Sequence, residues 1–294
     1  MYGTAYEIAY KHSGSSGYVS ELQWDIKPLL YMGINCTFAP EKPANRWGFF
    51  IGIGIKAALP METGTMEDRD WLSHDPYYHT APGSLTHFSS HDNHTKAAFL
   101  INLDTGFSLP LGKCVLKFYL NLNYMYFKWE ARDGYIQYGP NGHDNDSSFP
   151  FLPWEPGFPK LSINGLGISY TQHWILFNTG IGADFYLGRF IFSAAVFAGP
   201  PVCIAIDEHH KRNPAFKTIG ILTSGFAVKP ELNAVFLLSK NFDIGLSFSY
   251  LYIGETRGDS KYKESGSSTS IWYNDAEVAA LRAFEGSLSL KYHF

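Results

Sequence analysis

The chain has 294 residues and a net charge of −4, which gives it no basic surface for nucleic acid, so we expect no nucleic-acid partner. Aromatic residues make up 17% and charged residues also 17%, a balance that is unusual for a soluble domain and typical of a surface that faces lipid. No segment offers the roughly 18 consecutive apolar residues of a membrane-spanning helix. If the chain crosses a membrane, it must do so as strands of a barrel, because lipid offers no hydrogen-bond partners to the backbone. We expect a single domain over residues 1–294.

Alternation of apolar with small or polar residues predicts β-strands along the whole chain. In 242–252, for example, every even position is apolar and most odd positions are Asp, Gly or Ser. Ten strands are predicted in chain order: 3–12, 17–38, 46–58, 96–109, 114–131, 162–187, 190–205, 216–239, 242–255 and 277–294.

The connections between these strands differ in length in a regular way. Connections after the even-numbered strands are short, whereas most of those after the odd-numbered strands are long: 59–95, 132–161, 206–215 and 256–276. Outer-membrane barrels have short periplasmic turns and long external loops. The last strand also alternates up to a terminal Phe294. The sequence therefore predicts an all-β fold, a ten-stranded antiparallel transmembrane β-barrel in the outer membrane, with long extracellular loops and short periplasmic turns.

Two of the predicted long loops contain ionisable residues two positions apart. Asp68 and Asp70 follow the third strand, and Asp207 and His209 follow the seventh. In extended chain such residues point to the same side. A carboxylate beside a histidine favours the imidazolium and orients the ring, as in hydrolases, and a second pair of acids could hold a water molecule. These four residues are candidates for hydrolysis by an activated water, although a polar run of this kind also fits a solvated turn.

Two other kinds of site can be weighed from the residues alone. Five histidines fall in the predicted loop 59–95, and His209 and His210 lie in another loop, which raises a metal site as an alternative: His74, His79, His87, His91 and His94. None of them stands beside a cysteine or has the spacing of a helix-borne site, so we expect no metal. An open pore is a further alternative, but charged residues facing into a ten-stranded barrel favour a packed polar network.

The two ionisable pairs belong to longer motifs that resemble those of the omptin family, the ten-stranded outer-membrane endopeptidases. Met66, Asp68, Asp70 and Trp71 are similar to the first motif of the family, and Asp207–His209 is similar to its second, Asp-Glu-His. Other similar positions lie towards the two ends of the chain: Glu7, Tyr10, Val19, Ser20, Leu22, Trp24 and the final Leu290-Lys291-Tyr292-x-Phe294. The resemblance covers most of the chain.

The resemblance implies an aspartic endopeptidase of the cell outer membrane, with its active site facing the exterior. In this interpretation Asp207 orients His209, the general base, while Asp68 and Asp70 hold the water and stabilise the developing charge. Peptides or surface and host proteins are the implied substrates, and the protein is expected to be a monomer. No cofactor is expected, other than lipopolysaccharide or another outer-membrane lipid.

Substrate contacts are implied for Glu7, Met66 and Glu208. Family members that cleave beside basic residues use a second pocket acid, two positions before the dyad aspartate, where this chain has Ala205. A preference for cleavage near basic residues therefore stays open at the level of sequence.

The lipid-binding positions and one loop also depart from the family. Tyr124 and Lys128 match positions that grip lipopolysaccharide, whereas Tyr126 and His173 replace an acid and an arginine, which leaves the lipid requirement open. The proline-rich loop 140–160 has no counterpart and could cover the groove, bind a partner or be a stiff exposed loop. These departures keep a second hypothesis, a catalytically inactive barrel that acts as an adhesin or surface-binding protein.

Overall fold

The computed structural model describes residues 1–10, 18–39, 47–71, 84–138 and 153–293. Within these ranges the chain forms one antiparallel sheet, and no helix in them is long and apolar enough to cross a bilayer. The strands are β1 (Tyr2–Tyr10), β2 (Tyr18–Ile26), β3 (Tyr31–Phe38), β4 (Gly48–Ala58), β5 (Met61–Asp70), β6 (His87–Leu111), β7 (Cys114–Tyr138), β8 (Leu161–Ser162), β9 (Leu166–Leu187), β10 (Phe190–Gly199), β11 (Pro201–His209), β12 (Phe216–Ser224), β13 (Ala227–Leu237), β14 (Phe242–Glu264) and β15 (Ile271–Tyr292).

The fifteen strands make a ring of ten. In four cases two consecutive strands are the two halves of one interrupted barrel strand: β2 with β3, β4 with β5, β10 with β11, and β12 with β13. The two-residue strand β8 pairs only with the C-terminal end of β7 and is not a member of the ring. The ring closes where β1 pairs with β15, in a register that sets Glu7 opposite Ala279. The predicted all-β, ten-stranded antiparallel barrel is therefore confirmed.

The predicted ends of several strands were wrong, because the strands run further than the apolar alternation indicated. Strand β5 continues to Asp70, β11 to His209 and β14 to Glu264, through residues that the sequence assigned to loops. Ionisable residues occupy the inner face there, so the apolar half of the pattern is missing. His87, His91 and His94 likewise lie on β6 and not in a loop. The predictions for His74, His79 and most of the loop 140–160 lie outside the described residues.

A belt of exposed apolar side chains surrounds one half of the barrel. Its members alternate with inward-facing residues and include Met32, Ile34, Phe49, Ile51, Ile53, Ile55, Leu103, Phe107, Phe118, Leu120, Phe177, Ile181, Phe185, Phe192, Val196, Leu232, Leu246, Phe248, Phe284, Leu288 and Leu290. A lipid-facing barrel surface has this character. The belt marks β3, β4, β10, β13 and the parts 98–111, 114–126, 176–187, 242–253 and 282–292 of the long strands as membrane-spanning. The remaining strand segments, including β5 and β11, project beyond the belt.

Polar side chains fill the barrel within the belt. Lys117 Nζ contacts Asp184 Oδ2 at 2.6 Å, and Asn121 donates to Asn102 at 2.7 Å. Above this network lies an aromatic layer made of Trp24, Phe127, Trp129 and Tyr170, all fully buried. Phe127 and Trp129 stack at 5.1 Å, and Trp24 and Tyr170 at 5.6 Å. The layer fills the barrel directly below the strand ends that carry the candidate residues.

We expect Trp129→Ala to destabilise the barrel by about 3–5 kcal/mol, because it leaves a cavity in this layer. The matched control is Trp272→Ala, since that indole is 53% exposed at the outer end of β15 and should shift stability by less than about 0.5 kcal/mol. Urea unfolding in detergent, followed by circular dichroism, measures both. Equal shifts for the two variants would contradict a structural role for the aromatic layer.

Candidate active site

Two strands on opposite sides of the barrel end carry the predicted ionisable pairs. On β5, Asp68 and Asp70 alternate inward and are buried. On β11, Asp207 is buried as well, and His209, whose side chain is 11% exposed, faces the same side. Placement on strands strengthens the expectation that residues two positions apart share a side, because the alternation is fixed by the sheet ladder. All four residues line a single cleft of about 680 Å³ that opens at the outer end.

His209 is held by two neighbours. Its Nε2 lies 2.7 Å from Oδ2 of Asp207, and its ring stacks on Phe216 of β12 with centroids 4.3 Å apart. Burial disfavours the imidazolium, but the charge of Asp207 and its hydrogen bond outweigh this effect, and together they raise the pKa of His209. The arrangement orients the ring and makes it a stronger base than a free imidazole.

Asp68 faces this pair across the cleft. Burial and repulsion from Asp70 raise the pKa of Asp68 to about 7, while the charge of His209 acts in the opposite direction. The carboxyl and the imidazole are thus close enough for each to change the pKa of the other. Ser20 Oγ also donates to Asp68 Oδ1 at 3.4 Å. The two pairs therefore form one electrostatic unit.

A cation that the sequence motifs did not indicate stands at the rim. Arg212, in the connection after β11, places a guanidinium nitrogen 3.7 Å from Oδ2 of Asp70. Its positive charge lowers the pKa of both Asp68 and His209. The guanidinium offsets part of the negative charge that the acidic residues of the cleft bring together.

Two implied substrate contacts are not in the cleft. Met66 lies on the inner face of β5 but is fully buried in the core below Asp68, and it does not line the cleft. Glu208 points to the outer face of β11, where its carboxylate binds Lys217 at 2.9 Å and accepts from Ser169 at 3.3 Å. Glu7 is buried and does line the cleft.

The implied lipid positions lie on the outer surface of the barrel. Tyr124 donates to or accepts from Nδ1 of His173 at 2.8 Å, and the ring of Tyr126 meets the same histidine edge-on at 4.9 Å. Phe99 stacks on Tyr126 at 4.9 Å. Lys128 lies one alternation further out on β7. The residues that depart from the family here make an aromatic cluster with one imidazole in it.

Two further residues line the cleft: Glu277, which sequence reasoning missed, and His91, which it considered only as a possible metal ligand in a loop. Glu277 is a buried acid on β15 within a run of Ala and Val, which is the one signal that could have drawn attention to it. His91 accepts or donates at Ser89 Oγ at 3.0 Å, and burial lowers its pKa. In the described part of the chain, no group of three or more His, Cys, Asp or Glu residues could hold a metal ion.

Comparison with solved structures gives the class of the fold. The outer membrane protease OmpT from Escherichia coli superposes with a TM-score of 0.83 and 17% sequence identity, over 100% of this chain and 93% of that chain. OmpT of Vibrio cholerae aligns with 97% of this chain and 96% of its own at 8% identity, but its TM-score is 0.17, which is too low to support an argument. No curated protein sequence matches the chain. The fold is that of an outer-membrane β-barrel.

The sequence model of the Omptin family matches residues 1–294, and the chain belongs to the Omptin family. It is accordingly an outer-membrane protease that acts on peptides or proteins.

The raised pKa of Asp68 predicts how the stability of the cleft depends on pH. Folding favours the protonated carboxyl, so its contribution is fully present below its ordinary pKa of 3.8 and is lost as the pH rises through about 7. Asp68→Asn cannot ionise, so its melting temperature should fall less between pH 5 and pH 8 than that of the wild type. Over this pH interval the free energy of unfolding of the wild type should fall by at most about 3 kcal/mol more than that of the variant. Asp92→Asn on the exposed side of β6 is the control, and an equal pH dependence of all three proteins would refute the assignment.

Proposed function

We propose that the cleft is the active site of an endopeptidase in which the Asp207–His209 pair activates a water molecule to attack the scissile carbonyl. The observation that carries the proposal is the 2.7 Å contact between His209 Nε2 and Asp207 Oδ2, on a wall that faces buried Asp68. A base, its orienting carboxylate and an opposing acid are the parts that direct attack by water requires.

The proposed reaction has two steps. In the first, His209 takes a proton from the water as the water oxygen bonds to the carbonyl carbon, and the carbonyl oxygen becomes negatively charged. In the second, the imidazolium gives that proton to the amide nitrogen, the negatively charged oxygen re-forms the carbonyl as the carbon–nitrogen bond breaks, and a carboxylic acid and an amine leave. The carboxylic acid then gives its remaining proton to solvent. Asp207 stabilises the imidazolium that forms between the two steps.

Asp68 and Asp70 occupy the opposite wall in this proposal. Asp68 accepts a hydrogen bond from the water and directs its lone pair towards the carbonyl carbon. Arg212 acts as a positioning residue, because its contact with Asp70 at 3.7 Å reduces the repulsion between neighbouring carboxylates. The buried setting strengthens these interactions, since charges in low dielectric act on one another more strongly than in water.

Loss of His209 should nearly abolish cleavage. We expect His209→Ala and Asp207→Asn each to lower kcat/KM by roughly 10⁴-fold, because groups that act as a unit fail together. The assay is cleavage of a mixed peptide library by the folded barrel in detergent, with and without lipopolysaccharide. His210→Ala is the matched control, since the neighbouring imidazole is exposed and bonds Ser169 outside the cleft.

Two outcomes would count against the proposed function. Cleavage that survives His209→Ala would remove the dyad from the mechanism. A folded wild-type barrel that cleaves nothing in either lipid condition would favour a surface-binding protein instead.

Arg212 should set the pH range of activity. Its charge lowers the pKa of His209 and of Asp68, so Arg212→Gln should raise both pKa values. The base must be neutral and the water-holding acid ionised, so both changes move the acidic limb of kcat/KM to higher pH, by up to about one pH unit. Arg212→Lys retains the charge and should shift the limb less. A lower rate with an unmoved pH profile would mean that Arg212 acts only structurally.

A further inference from the structure

A second pair of acids in the cleft has no role in the proposed reaction. Glu7 on β1 and Glu277 on β15 are 6% and 3% exposed, and both line the cleft that contains the dyad. Glu7 Oε2 and Glu277 Oε1 have no hydrogen-bond partner, and neither carboxyl group takes part in an ion pair within the described part of the chain. Buried carboxyl groups are normally paired, so this pair calls for a partner that arrives from outside.

The fold brings these two acids together across the closure of the ring. Strands β1 and β15 are neighbours, with Glu277 opposite Ala9 and Glu7 opposite Ala279, so the two side chains leave the ladder two positions apart on the inner face. Burial, together with the negative charge of Asp207 and of Glu277, raises the pKa of Glu7. Burial and Asp207 raise the pKa of Glu277 to about 8. The acids therefore share one small region of negative potential.

Two small residues on the neighbouring wall make room for the Glu277 carboxylate. Gly220 on β12 lies so close that a Cβ atom there would stand 2.5–2.8 Å from the carboxyl atoms of Glu277. Ala205 on β11 is the direct ladder partner of Gly220. The Glu277 carboxylate thus lies over the Ala205–Gly220 pair, next to the position where the sequence lacks the second pocket acid of the family.

We propose that Glu277 is the specificity-determining partner of Glu7, and that the two carboxylates bind a cationic side chain of the peptide next to the scissile bond. This inference rests on the proposed function of the same cleft. A guanidinium is the better fit of the two natural cations, because its planar fork can bond two carboxylates at once, whereas an ammonium is a point charge. The acid that position 205 lacks is supplied from another strand.

The test compares peptides that differ only in arginine or citrulline, its uncharged counterpart of nearly equal shape. The wild type should cleave the arginine peptide preferentially. Glu277→Gln should reduce the arginine-to-citrulline ratio of kcat/KM about 10- to 100-fold, the effect of losing one hydrogen bond to a charged group. The control is Glu264→Gln, which removes an exposed acid from β14 and should leave the ratio unchanged. A ratio that Glu277→Gln leaves unchanged would overturn the proposal.

Two further variants separate a specificity role from damage to the fold. Gly220→Ala adds a Cβ that must displace the Glu277 carboxylate without changing any charge, so it should also reduce the ratio. Ala205→Asp in the Glu277→Gln background should restore the ratio, because it returns a carboxylate to the same region. Failure of both variants to change the ratio in these directions, in barrels that keep the circular dichroism of the wild type, would also overturn the proposal.

Binding measured without catalysis distinguishes this inference from the proposed function. In a His209→Ala background, fluorescence anisotropy with the same two peptides should show tighter binding of the arginine peptide, and Glu277→Gln should remove the difference. Selective binding of the arginine peptide, together with a folded wild-type barrel that cleaves neither peptide, would contradict the proposed reaction and leave the pocket in place. Cleavage by the wild type without any preference for the arginine peptide would contradict the proposed pocket and leave the proposed reaction in place.

Discussion

The hydrogen-bonded ladder between the first and last strands closes the sheet into a ring, and the rest of the molecule depends on that closure. A closed sheet has an inside and an outside, and strand alternation assigns every side chain to one of them. In the half of the barrel that carries the apolar belt, the outer surface is apolar and the interior is polar. Beyond the belt the same alternation continues. The acids of β5 and β11 occupy inward-facing positions of this alternation, and they therefore point into the cleft.

Desolvation explains most of the electrostatics of this cleft. The aromatic layer of Trp24, Phe127, Trp129 and Tyr170 fills the barrel below the cleft and separates it from the polar network within the belt. Burial is the largest single cause of the raised pKa values of Asp68, Glu7 and Glu277. One structural element therefore supports both the proposed chemistry and the proposed selectivity, because each needs carboxyl groups held away from bulk water.

The sequence predicted the barrel and the dyad better than it predicted strand ends and pocket composition. Alternation and connection length are local signals, and so is the two-residue spacing of Asp207 and His209. Strand β11 was predicted too short because its last inward residues are ionisable. The outward orientation of Glu208 could have been predicted from the sequence, because a strand residue between two inward-facing residues must face outward. Glu277 could not be assigned to the cleft, because only ring closure brings β15 beside β1.

Placement of the reacting groups on strands also restricts how this barrel can vary over evolutionary time. Adding or deleting one residue in β11 ahead of Asp207 would turn both dyad residues outward and bring Glu208 into the cleft, while the strand itself could still pair with β9 and β12. A change of two residues would restore the inward orientation and move the dyad along the strand by about 7 Å. Insertions and deletions within the strands therefore preserve the inward orientation of the dyad only when they change the length by an even number of residues. Other changes in length should be found in the connections beyond the strand ends.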